Sequence, residues 1–282
     1  MTARRRLKVP NRARIAFQGE LGAFSEAAAR RIFGARIEPL PCVSFEDCFS
    51  QLLSGRALAA VIPIENSLAG SIHQNFDLLA RHRVEAVGET TVRIEHHLIA
   101  HPGATIRGIR QIYSHPVALA QCQRVLRALP SAEKVSFYDT AGSVKHIRDR
   151  QLPSAAAVAS AEAARMYGMK ILRRNIEDNR ENFTRFLALA RGGRFPQGGG
   201  KTSIVFSLNN EPGALFKALS VFALRDINLT KIESRPIEGK PWEYLFYVDL
   251  QGDVRRTKCA RALRHLREMT AYFRLLGSYP SF

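Results

Sequence analysis

Cysteine, lysine, acidic residues and long apolar runs are all scarce in this sequence, and each scarcity narrows what the chain can be. Four cysteines occur in 282 residues: Cys42, Cys48, Cys122 and Cys259. None forms a C-x-x-C pair and no spacing matches a zinc site. Free thiols in a reducing cytoplasm are the simple reading. No apolar stretch approaches the roughly 20 residues of a membrane-spanning helix, so no membrane partner is expected. The first residues carry Arg4, Arg5, Arg6, Lys8, Arg12 and Arg14 with no apolar segment behind them. This predicts a disordered basic tail over residues 1–13 rather than a secretory signal, and a cytoplasmic location.

The shortage of acidic groups leaves 42 basic residues against 25 acidic ones, a formal net charge of +17. Only nine of the 42 are lysine. A nucleic-acid binder concentrates such charge in a patch with aromatics interleaved. Here, apart from the tail, arginine is spread along the whole chain, and no recognition element such as a helix-turn-helix is found. No nucleic-acid partner is therefore expected. A basic enzyme with an anionic substrate accounts for the charge, since a positive cleft attracts anions.

What is present is 46% hydrophobic sequence in a strand–helix rhythm. A strand at residues 14–17 is followed by a helix at 24–33, a short strand near Ile37, and a second helix opened by the capping pattern Ser44-Phe45-Glu46-Asp47. The apolar run 57–64 fits a strand buried on both faces of a parallel sheet. Helices are predicted at 75–81, 117–129, 141–150 and 162–167. Strands are predicted within 84–100 and at 111–113, 135–138, 155–159 and 186–190. This is an α/β domain. A Gly-rich segment, 191–201, reads as a linker. After it the order is strand 203–208, helix 214–224, strands 228–235 and 243–249, helix 254–267 and strand 272–277. That is βαββαβ, a ferredoxin-like unit spanning residues 202–278.

Polar corners follow several of these strands, where open α/β sheets bind ligands. Residues 19–25 form a Gly-containing turn, which reads as an ordinary βα turn or as a backbone anion cradle. Pro63-Ile64-Glu65-Asn66-Ser67, Ser114-His115-Pro116 with Gln121 and Cys122, and Tyr138-Asp139-Thr140-Ala141 each admit a plain helix-capping role. The run 175–186 differs in kind. It gathers Glu177, Asp178, Asn179, Asn182, Thr184 and Arg185 before a short strand, a density that packing does not explain. His96 and His97 lie on opposite faces of a strand and cannot easily share a metal ion with His101.

In this order, Pro63–Ser67, Ser114-His115-Pro116 with Gln121-Cys122, Tyr138–Ala141 and Asn182-Phe183-Thr184-Arg185-Phe186 together resemble the prephenate dehydratase family over residues 14–190. Gly213-Ala214-Leu215-Phe216 and Glu233-Ser234-Arg235-Pro236 resemble the phenylalanine-binding ACT regulatory domain. The resemblance is to the monofunctional form. It implies a two-lobed catalytic domain similar to type 2 periplasmic binding proteins, with one lobe at about 14–92 and 175–190 and the other at about 93–174.

The resemblance also implies a reaction. Prephenate, a dianion, loses carbon dioxide and water to give phenylpyruvate in phenylalanine biosynthesis, with no cofactor or metal required. Thr184 is implied at the leaving hydroxyl. Glu65 stands behind it as an acid if burial raises its pKa, or positions the hydroxyl while ionised. Asn66, Ser114, Gln121 and Thr140 are implied as neutral donors, with Ser67, His115, Ala141, Asn182 and Phe186 lining the substrate. Arg185 either neutralises a carboxylate or faces away, since strand alternation puts it opposite Thr184 and Phe186. Phenylalanine is implied as an allosteric effector at an ACT–ACT interface near Asn209, Gly213, Ala214, Leu215, Phe216, Glu233, Ser234, Arg235 and Pro236, in a homodimer or homotetramer. Arogenate dehydratase, whose substrate carries an amine in place of the keto group, fits the same residues. A two-lobed solute-binding protein fits the fold but leaves the ACT-like unit unexplained.

Overall fold

The architecture is that of a computed structural model, which describes residues 6–282. In chain order the elements are β1 (Arg14–Gln18), α1 (Phe24–Phe33), β2 (Glu38–Cys42), α2 (Phe45–Leu53), β3 (Ala59–Asn66), β4 (Gly70–Ser71), α3 (His73–Arg81), β5 (Glu85–Arg93), β6 (His97–Ala100), β7 (Gln111–Ser114), α4 (Pro116–Ala120), α5 (Gln123–Arg127), β8 (Glu133–Ser136), α6 (Thr140–Asp149), β9 (Ala155–Ala159), α7 (Ala161–Met166), β10 (Lys170–Arg173) and β11 (Phe183–Ala190). There follow β12 (Lys201–Ser207), α8 (Ala214–Ala223), β13 (Leu229–Ile237), β14 (Lys240–Gln251), α9 (Thr257–Glu268) and β15 (Tyr272–Tyr279). The chain divides into two compact units. One comprises residues 6–72 and 91–186; the other comprises 73–90 and 187–282.

The first unit holds two sheets. One runs β2-β1-β3-β11, with β2, β1 and β3 parallel and β4 turned back antiparallel on β3. The other runs β10-β6-β9-β7-β8. The alanine-rich β9 sits inside this second sheet with every residue buried. Its alternating side chains feed two cores. Ala155, Ala157 and Ala159 pack with Val144 and Ile147 of α6 and Ala163 of α7. Ala156 and Val158 pack with Leu119, Val125 and Leu126 of α4 and α5. Small side chains are what a strand between two close helical layers can accommodate.

Local chemistry sets the helix starts. The Ser44 hydroxyl accepts from the Asp47 N–H at 3.1 Å, the predicted cap of α2. Asp139 caps α6, accepting from the Gly142 N–H at 2.7 Å. Such caps are worth about 1 kcal/mol each. The helix expected over 117–129 is broken in two, because the Gln121 carbonyl accepts from the Asp178 N–H at 2.7 Å and the Asp178 carboxylate takes the Arg124 N–H. A residue more than 50 positions away therefore caps α5.

Residues 1–5 of the expected tail lie outside the described residues. Residues 6–13 correct the expectation of disorder. The Leu7 N–H donates to the Ile32 carbonyl, the Arg12 N–H donates to the Arg36 carbonyl, and Ala13 is buried.

In the second unit the sheet order is β13-β14-β12-β15, all antiparallel, with α8 and α9 on one face. This is the expected βαββαβ unit. Helix α3 packs on the opposite face, where the Tyr247 hydroxyl donates to the Phe76 carbonyl at 2.7 Å. The Gly-rich segment before β12 is tightly held. The Gly198 N–H donates to the Ser278 carbonyl, and a Cβ on Gly199 would come within 2.1 Å of the Tyr279 carbonyl carbon. Glycine there serves close packing.

Candidate active site

Asn66, at the end of β3, has its amide orientation fixed by groups that can act in only one way. The Leu68 and Ala69 N–H groups both donate to Oδ1, at 3.0 and 2.8 Å. The other end, Nδ2, donates to the Phe183 carbonyl at 3.1 Å, to Asn182 Oδ1 at 2.8 Å and to Thr184 Oγ1 at 3.0 Å. Asn66, Asn182 and Thr184 are all buried. The neighbours follow by complementarity. Gln121 presents Nε2 to Asn66 Oδ1 at 3.3 Å, so its Oε1 faces Asn182 Nδ2 at 2.8 Å. Residues far apart in sequence thus form one cluster of neutral amides around the Thr184 hydroxyl. Because Thr184 Oγ1 accepts from Asn66, its own proton is directed elsewhere, and no described residue accepts it.

Two buried groups behind this cluster were not among the expected site residues. His96 lies 3.3 Å from Gln121 Oε1 through Nε2, and its ring meets Phe24 edge-on at 5.7 Å between centroids. Its main-chain N–H donates to the Glu177 carboxylate at 3.0 Å. His96 and Glu177 are each 2% exposed. Burial pushes the His96 pKa down to about 4, against the opposing pull of the Gln121 hydrogen bond and the Glu177 charge. The sequence pointed to His96 only as a metal candidate, and Glu177 only as a member of a polar run. His97 turns the other way, its Nδ1 accepting from the Asn175 N–H, and His101 meets the Ile147 carbonyl. Among the described residues no three His, Cys, Asp or Glu side chains converge as a metal site.

The remaining expected residues fall into distinct settings. Ser67 is a clamp: its hydroxyl donates to the Glu181 carbonyl at 2.7 Å and accepts from the Phe183 N–H at 2.9 Å. Ser114, fully buried, donates to the Val158 carbonyl at 2.6 Å. His115 caps α4 through Nδ1 to the Val117 N–H, and burial lowers its pKa. Thr140 opens α6, half-buried, and no described residue bonds its hydroxyl. Ala141 is a core residue. Glu65 is half-buried on β3 opposite Ser71. On β11, Thr184 and Phe186 are buried and Arg185 between them is half-buried, as strand alternation requires. The turn at residues 19–22 serves the protein's own carboxylates: the Glu20 N–H donates to Asp139 at 3.1 Å and the Gly22 N–H to Glu26 at 2.7 Å.

In the second unit, strand pairing sorts the expected effector residues onto two faces. Ser234 opposes Phe246 and Pro236 opposes Tyr244, on the side that carries α8. Glu233 opposes Tyr247 and Arg235 opposes Leu245, on the side of α3. There Glu233 meets His73 at 3.1 Å, and Arg235 grips Asp77 through two hydrogen bonds of 3.1 and 2.9 Å. Asn209 is exposed just after β12. Gly213, with φ of 77°, starts α8, on which Ala214 and Leu215 are half-buried and Phe216 is exposed.

Residues 15–194 match the family model described as prephenate dehydratase. The chain belongs to the prephenate dehydratase family. Residues 202–264 match the ACT domain. A relative from Arabidopsis thaliana, named arogenate dehydratase/prephenate dehydratase 2, chloroplastic, is 47% identical over 96% of this chain and 73% of its own length. The crystal structure of a prephenate dehydratase in complex with L-Phe from Arthrobacter aurescens has a TM-score of 0.87 and 33% identity, covering 95% of this chain and 90% of that one. A structure titled as GqqA, a novel type of quorum quenching acylase, has a TM-score of 0.85 and 38% identity over 95% of this chain and 98% of that one.

Family membership makes the chain a lyase of aromatic amino acid biosynthesis carrying an ACT domain. The expected cytoplasmic location does not stand. The Arabidopsis relative above and others at 43–44% identity are named chloroplastic.

Proposed function

We propose that this chain converts prephenate to phenylpyruvate, with Thr184 delivering the hydrogen bond that lets the ring hydroxyl leave. The reaction breaks two bonds. The ring carboxylate departs as carbon dioxide, its electron pair enters the ring, and the C–O bond at the para position breaks as the ring becomes aromatic. One proton converts the departing hydroxide into water. The observation that carries this reading is the direction of the Asn66–Thr184 hydrogen bond. It leaves the Thr184 proton available, and a donor held in place costs little reorganisation when charge develops on the leaving oxygen. Gln121 keeps one N–H unassigned, and Thr140 contributes a free hydroxyl; both suit the substrate's carboxylate and keto oxygens. Arg185, opposite Thr184, is given no part in the leaving step. Acyl transfer would need a base to take the Thr184 proton, and the atom bonded to its oxygen is itself a donor.

Phenylalanine is read as the effector, bound on the α8 side of the ACT sheet near Gly213–Phe216, Ser234 and Pro236, where a second copy of the chain covers it. Exposed Phe216, Ile232 and Tyr244 support such a partner. Purified protein given prephenate or arogenate, with and without phenylalanine, tests the reading. Faster turnover of prephenate, changed by phenylalanine, is expected; turnover of arogenate alone would overturn the substrate assignment. A monomer in the presence of phenylalanine would overturn the interface.

A further inference from the structure

His96 is set in the interior with one ring nitrogen engaged and the other idle. We infer that His96 is a positioning residue for the dehydration, its Nε2–H holding the Gln121 amide so that Gln121 presents its remaining N–H to the substrate beside the Thr184 hydroxyl. The inference rests on the reading of Thr184 and Gln121 given above.

The tautomer follows from the hydrogen-bond pattern. Backbone donors make Asn66 Oδ1 an acceptor, so the Gln121 atom facing it is Nε2, and Gln121 Oε1 faces both Asn182 Nδ2 and His96 Nε2. An oxygen with two lone pairs then receives two donors, and His96 carries its hydrogen on Nε2. One hydrogen of Gln121 Nε2 is used by Asn66; the other is free.

The groups behind His96 form a rigid back wall. Glu177 accepts the His96 N–H, the Ile176 N–H donates to the His96 carbonyl, and the Phe24 ring edges the imidazole. Within this wall two buried atoms have no hydrogen-bond partner, His96 Nδ1 and Glu177 Oε1. Orphaned polar atoms cost stability, and a core selected for stability alone would not keep an imidazole here. An apolar residue at position 96 would remove the orphaned nitrogen while also removing the Nε2–H. Function and stability therefore pull in opposite directions, which separates a positioning role from a structural one.

The test compares His96→Leu and His96→Gln in the intact protein with prephenate. Gln places an N–H at the reach of Nε2; Leu places none. His96→Leu is expected to keep or raise Tm, leave KM within about twofold and lower kcat by about 10- to 100-fold, the scale of a misplaced group. His96→Gln is expected to restore kcat to within about threefold. Wild-type kcat in His96→Leu, or equal losses in the two variants, would overturn the inference. Thr184→Val is run beside them. If it keeps its kcat, the underlying reading fails. If it loses kcat while His96→Leu does not, only the role of His96 fails.

Discussion

The two regions where side chains converge use opposite electrostatic means. Around Thr184 the groups are neutral amides and a histidine held uncharged by burial. On the α3 face of the ACT sheet they are ion pairs, Arg235 with Asp77, Arg81 with Glu238 and Lys231 with Glu233, and Glu233 also shares a hydrogen bond with His73. The difference teaches what each region is built to receive. Ion pairs are already satisfied and respond to salt and small shifts. Oriented neutral donors keep hydrogen-bonding capacity in reserve for charge that arrives with the substrate or develops during reaction.

The sharpest way to break this contrast is to put a charge into the neutral cluster. Asn66→Asp preserves shape, but its carboxylate can only accept, so the Thr184 proton would turn inward toward it. The expected loss in kcat is at least about 10²-fold, the scale of proton-transfer assistance, measured at saturating prephenate. Unchanged kcat would show that the direction of the bond is immaterial.

Acid provides the next largest effect. His96 takes a proton near pH 4 when folded and at its usual value of 6.5 when unfolded. As pH falls from about 6.5 to 4 the unfolded chain binds the proton first, so stability declines through that window, by roughly 3 kcal/mol in full. The groups facing the ring are Glu177, whose charge opposes the shift, and Gln121 and His97. The difference in Tm between wild type and His96→Leu, followed from pH 7 to pH 4, isolates this contribution. It should shift against the wild type as acid is added; a constant difference would contradict the shift.

The smallest effect belongs to the ion-pair face. Asp77→Asn removes the partner of Arg235, and since both groups are partly exposed the expected loss is below about 1 kcal/mol and fades in high salt. Thermal unfolding at two salt concentrations reads it. A large, salt-independent loss would place this pair on the same footing as the buried cluster.

Much of this was legible in the sequence where the information is local. The alternation that separates Thr184 from Arg185, the Ser44 cap of α2 and the βαββαβ order after residue 200 all rest on neighbours within a few positions. The cluster itself rests on bonds between residues 116 and 118 positions apart, Asn66 with Asn182 and with Thr184, and on His96 reaching Glu177 81 positions away. No spacing rule reaches that far. The break between α4 and α5 was hidden for the same reason, since Asp178 makes it from outside. The basic composition of residues 6–13 masked their backbone bonds to residues 32 and 36.

The central claim is that the Thr184 hydroxyl, oriented by Asn66, gives its proton as a hydrogen bond to the departing oxygen. Single-turnover conversion of prephenate by Thr184→Ser and Thr184→Val tests it most directly. Ser keeps a hydroxyl within reach of Asn66 and should retain the rate to within about tenfold, whereas Val should lose at least about 10²-fold with its fold intact. Equal rates in the two variants, or a Val variant as fast as wild type, would contradict the account.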